Sequence, residues 1–105
     1  MRELTIPDGV SSDQDATEMV RFWLAHNKPH VTLLLGMYED AENCNVDELF
    51  AWGQILGDIA QHVANGFQKS HGWDFDKSAK AILTHFIDAM RTRAPGLEGD
   101  FPEGA

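Results

Sequence analysis

Any chemistry in this sequence has to start from histidines and carboxylates that share helix faces. The stretch "WGQILGDIAQHVANGF", Trp52 to Phe67, sets Asp58 four residues before His62, with Asn65 near one further turn along. Residues three and four apart are neighbours on a helix surface, so an aspartate here can orient the imidazole or stabilise its charge, as a base or a metal ligand requires. A second pair, His85 and Asp88, lies three apart further down the chain. Two helices that each carry a histidine and a carboxylate meet the minimal inventory of a metal site housed between helices. Their angular positions argue against it. At 100° per residue Asp58, His62 and Asn65 share a polar arc with Gln54 and Lys69, and His85 and Asp88 lie off the apolar side of their own helix, whereas bundle ligands project inward. Asp58, His62, His85 and Asp88 are therefore weak metal candidates beside the far more specific zinc signatures, and neither a metal nor a cofactor is expected.

Other reactive constellations have less support. Ser11, Ser12 and Ser70 lie in no "GxSxG" turn, so nothing points to a serine hydrolase. Cys44, the single cysteine, sits in a polar loop where Glu42 and Asp47 oppose a thiolate. It has no partner for an internal disulfide, and a reducing cytoplasm is the expected compartment. No glycine-rich phosphate loop is present. The chain carries 17 acidic against 8 basic side chains, a formal net charge of -9. That balance disfavours nucleic acid and anionic membranes, because neutralising phosphates needs clustered lysine and arginine. No segment approaches the ~20 apolar residues that cross a bilayer, and "MRELTIPDGV" lacks the apolar run of a secretory signal.

The elements that would position these residues follow from periodicity and punctuation. "RELTIP" alternates Leu4 and Ile6 with Glu3 and Thr5 and reads as a short strand closed by Pro7 and Gly9. A first helix is expected from Ser11 to about Asn27, with Ser11 and Gln14 at capping-box spacing, Ala16, Met19, Val20 and Trp23 at helical spacing, and Pro29 as the stop. "HVTLLLGMYED", His30 to Asp40, is the strongest strand pattern. Apolar residues on both its faces call for neighbours that the chain scarcely offers, so pairing with a second copy across a two-fold axis is the expected remedy. A long helix then runs from a cap near Asn45 to Gly72. Trp52, Ile55, Leu56, Ile59, Val63 and Phe67 form its large-residue stripe, and Gly53, Gly57, Ala60 and Ala64 form a small-residue stripe suited to close backbone approach. The last helix is capped by Asp74 or Asp76 and stopped by Pro95 and Gly96.

The aromatic residues mostly fall on helical apolar faces, where they read as core. Phe22 is the exception, standing off the Ala16, Met19, Val20 line beside Trp23, in the position of an interface anchor.

These readings predict one α+β domain over residues 1–93, followed by an acidic, Gly/Pro-rich tail, 94–105, extended or disordered. Within the domain, three helices, one of them long, pack on a small sheet of one or two strands per chain, completed by homodimerisation. "RELTIP", "EMVRFWLAH" and above all "WGQILGDIAQHVANGF" resemble a family of short alphaproteobacterial proteins known only as a domain of unknown function, over Arg2 to about Met90. The resemblance implies a small cytoplasmic bacterial protein and transfers no catalytic residue, but it sets Trp52, Asp58, His62 and Asn65 in the family's recognisable segment. The function expected is a non-enzymatic homodimeric binding or interaction module, with a protein partner or a small ligand and with Trp52, Asp58, His62, Asn65 and Phe22 as ligand or interface candidates. The alternative is a metal- or ligand-dependent enzyme or binder built on Asp58 and His62.

Overall fold

A computed structural model describes residues 1–37, 48–92 and 98–101. The chain divides into two compact units, Met1–Leu35 with Glu98–Ala105, and Gly36–Leu97. Both helices and strands are present, which bears out the α+β class. Among the described residues there are three strands and two helices, where one or two strands and three helices were expected.

In the first unit, β1 (Val20–Ala25) and β2 (Lys28–Leu33) form an antiparallel hairpin, and β3 (Glu98–Asp100) adds parallel to the far side of β2. The helix expected over Ser11 to Asn27 is thus replaced by turns and a strand. Two causes are visible. Around Ser11 the short polar side chains bond local backbone: Ser12 Oγ donates to Gly9 O at 2.8 Å, and Asp13 Oδ1 accepts the Asp15 N–H at 2.9 Å. Such bonds compete with a helical turn. Further on, Val20, Phe22 and Trp23 favour a pleated strand, and His26 and Asn27 supply the hairpin loop in left-handed conformations, φ 52° and 60°.

Pro29, read as a helix stop, is tolerated inside β2 by the phase of the ladder. With a two-residue loop, Ala25 and Lys28 are a hydrogen-bonded pair, so Leu24 and Pro29 are a non-bonded one. The Leu34 N–H to Met19 O bond at 3.0 Å keeps the same alternation at the other end. The absent proline N–H therefore leaves no gap in the hairpin.

The strand expected over His30 to Asp40 begins earlier and ends at Leu33, and its stretch beyond Met37 lies outside the described residues. "RELTIP" forms no strand, and Leu4 is 93% exposed. Glu98–Asp100, placed by sequence in the tail, forms β3. Gly99 is required there: its φ is 147°, and a Cβ would run into the Val31 carbonyl. Lys28 Nζ and His30 Nδ1 approach Glu98 at 3.6 and 3.7 Å, while His30 Nε2 donates to Ala25 O at 3.2 Å. Because β2 finds both neighbours within its own chain, the homodimerisation expected to complete the sheet is not borne out on that ground.

The second unit is a helical hairpin of α1 (Glu48–His71) and α2 (Phe75–Arg91). At 1.5 Å per residue α1 is about 36 Å long. The cap expected at Asn45 lies outside the described residues. Gly72, at φ 70°, ends α1: its N–H still reaches Gln68 O, and the Trp73 N–H folds back to Phe67 O at 3.4 Å. Asp74 caps α2 by accepting the Lys77 N–H at 2.9 Å.

Neither unit builds a core of large side chains. Among the described residues the buried apolar ones are Ala51 and Ala64. The close approach expected over Gly53 and Gly57 does not occur among the described residues, since a Cβ at either would meet nothing within 4 Å. No helix among the described residues is long and apolar enough to cross a membrane.

Candidate functional site

The polar face of α1 takes the form that its spacing dictates. Asp58, His62 and Asn65 are all exposed on one side of the helix, and no hydrogen bond joins them among the described residues. Trp52, half-buried at the head of α1, is committed to its own helix: its Nε1–H donates to Glu48 Oε1 at 3.1 Å, one turn back. The same Glu48 oxygen accepts the Gly36 N–H at 2.7 Å, which ties the segment before α1 to its first turn. On α2, His85 and Asp88 are exposed, and Asp88 lies 3.9 Å from Arg91. Among the described residues no three of His, Cys, Asp and Glu gather as a metal-holding group. The four weak metal candidates are therefore two separate local arrangements, open to water.

A feature missed in the sequence is the aromatic corner between the helices. Phe67 and Trp73 stack with ring centroids 4.7 Å apart and planes at 11°, and His71 leans on both at about 5 Å. Ser70 Oγ donates to Gly66 O at 2.9 Å and lies 2.5 Å from His71 Nδ1. The left-handed Gly72 folds Trp73 back onto the last turn of α1, so this contact secures the corner while Trp73 stays 53% exposed.

The other open surface is β1. Its hairpin phase directs the backbone N–H and C=O groups of Val20, Phe22 and Leu24 away from β2, along the outer edge of the sheet. Phe22 is 58% and Leu24 76% exposed. Phe22, singled out by its place in the sequence, thus stands on a strand edge that no other strand among the described residues pairs with. A cavity of about 580 Å³ has Leu4, Ile6, Val10, Val20, Phe22 and Trp23 in its lining. Arg21 is held by a two-point contact with Glu18, at 2.7 and 3.0 Å, and reaches Glu3 at 3.3 Å. That hydrogen-bonded guanidinium holds the Glu18 carboxyl below its usual range, and Glu18 in turn raises Arg21. A cation neutralised from two sides offers little to an anionic substrate.

Exposed apolar surface is what the two units share. On the helices it includes Leu49, Phe50, Leu56, Ile59, Val63, Leu83, Phe86, Ile87 and Met90. Apolar surface left outside in this way is suited to association.

Residues 3–93 match the model of a family described as "Domain of unknown function (DUF5076)", and the chain belongs to that family. No curated protein matches it. A similar solved structure, described as that of a "putative pyruvate dehydrogenase" from the photosynthetic bacterium Rhodopseudomonas palustrus CGA009, is 19% identical. It superposes with a TM-score of 0.58, covering 87% of this chain and 95% of that one. At that identity the likeness shows a shared fold and carries no activity across.

Proposed function

We propose that this member of a family of unknown function is a non-enzymatic interaction module that works as a homodimer. The observation that carries the reading is the apolar surface left open on each unit: among the described residues Phe22 and Leu24 on β1, and Leu56, Ile59, Val63, Leu83, Phe86 and Met90 on the helices, are exposed. Exposed apolar surface of this extent marks an interaction face, and a second copy of the chain covers part of it.

The apolar side of the α1–α2 hairpin is the surface such a module offers to that partner, and a net charge of -9 favours a partner with a basic rim. Trp52 belongs to that apolar side, and Asp58, His62 and Asn65 on the polar face of α1 are the candidate polar contacts. The lone Cys44 and the acidic balance fit a bacterial cytoplasmic protein. Light scattering on untagged protein diluted to low micromolar concentration tests the reading. A mass of two chains is expected, and a monodisperse monomer would overturn it.

A further inference from the structure

We infer that the outer edge of β1 is the seam of the homodimer: β1 of one protomer pairs antiparallel with β1 of a second copy about a two-fold axis at Phe22, joining two three-stranded sheets into one. This rests on the homodimer reading and names the surface that makes it.

Among the described residues no strand pairs with this edge. Sheet edges are normally blunted by proline, lysine, a bulge or extreme shortness. β1 runs six residues, "VRFWLA", with none of the first three devices, and it exposes Phe22 and Leu24. Its single charge, Arg21, is already neutralised by Glu18 and Glu3.

The phase of the hairpin then selects one register. Only Val20, Phe22 and Leu24 turn their backbone groups outward, so a second copy must meet these residues with its own outward set. An axis at Phe22 pairs Phe22 with Phe22, Val20 with Leu24 and Leu24 with Val20, which satisfies every outward N–H and C=O on both strands. An axis at Arg21 leaves Leu24 opposite Glu18, outside β1. An axis at Trp23 sets Val20 opposite His26, where the chain has already bent into the left-handed turn. The side chains agree with the first choice. Phe22 meets an aromatic ring, and Val20 meets leucine.

A cavity of about 580 Å³ is lined by residues of both β1 and the N-terminal segment. That segment forms no strand with β1. It is joined to Arg21 through the Glu3 carboxylate, an ion pair between half-exposed side chains that yields readily.

Residue-resolved hydrogen exchange on the full chain, at concentrations where it is dimeric and after dilution, tests the seam. The amides of Val20, Phe22 and Leu24 are expected to be protected in the dimer and to lose protection on dilution, while those of Arg21, Trp23 and Ala25 keep theirs through β2. Leu24→Pro removes an amide that the hairpin does not use, so it should abolish the dimer and leave the ladder to β2 protected. A dimer whose Phe22 and Leu24 amides exchange freely overturns the seam and leaves the homodimer standing. A monomer at all concentrations overturns both. Protection of Phe22 and Leu24 that persists in a monomer, as when the chain's own Glu3–Ile6 docks on the edge, also overturns the seam.

Discussion

Arg21 shows how one side chain can be both prominent and chemically quiet. It sits on an open strand edge, yet Glu18 meets it at two points and Glu3 at a third. The Glu18 carboxyl is held low, first by its hydrogen bond to Arg21 and then by the nearby charge. A carboxylate whose folded pKa lies below its unfolded one contributes stability that is in place above the unfolded value and lost as pH falls through the folded value. Glu18→Gln is therefore expected to lower stability slightly at neutral pH and to leave it unchanged at acid pH, which flattens the acid side of the stability-against-pH profile, as thermal melts across the carboxylate range would show. A full acid-side slope in that variant would place the linkage elsewhere. The polar face of Asp58, His62 and Asn65 was legible from spacing alone, because helix geometry fixes which residues are neighbours. The commitment of Trp52 to Glu48 was equally available, being four residues apart. What could not be read was the ring stack of Phe67, His71 and Trp73, since it depends on the left-handed turn at Gly72 that brings Trp73 back.

Among the elements, those decided by local signals were read closely and those decided by distant partners were not. α2 was legible because its cap, Asp74, and its apolar spacing are contiguous in sequence. Residues 16–25 carried two patterns at once. Ala16, Met19, Val20 and Trp23 suit a helix, while "VRFWLA" suits a strand, and the outcome turned on His26 and Asn27 taking up the left-handed hairpin loop. No Asn-Gly pair announced that loop. β3 was beyond reach for a different reason: its partner, His30–Thr32, lies far back in the chain, and parallel pairing leaves no turn signal. The helix glycines give a test at this scale. Because a Cβ at Gly53 or Gly57 meets nothing within 4 Å, each glycine costs α1 conformational entropy with no packing return. Gly53→Ala and Gly57→Ala are each expected to raise stability by about 0.5–1 kcal/mol in denaturant unfolding. A loss would mean that another backbone packs against this stripe in the assembled protein.

For the whole molecule the decisive quantity is how little it buries. A chain of 105 residues with no large side chain fully buried among its described residues has little with which to offset the entropy of folding. Association is the simplest source of the missing burial, and the acidic surface sets what kind of further partner it favours. The sequence had suggested a shared sheet from the isolation of one strong strand. The structure supplies that strand with neighbours, and the reason for pairing moves to the free edge of β1 and the open side of the helices. The most direct test is native mass spectrometry of untagged protein purified without chelator, which weighs the assembly and anything bound to it in one spectrum. The account predicts two chains with no added mass. A single chain at low micromolar concentration would contradict it, and so would a stoichiometric metal that disappears in His62→Ala, which would return the α1 polar face to chemistry.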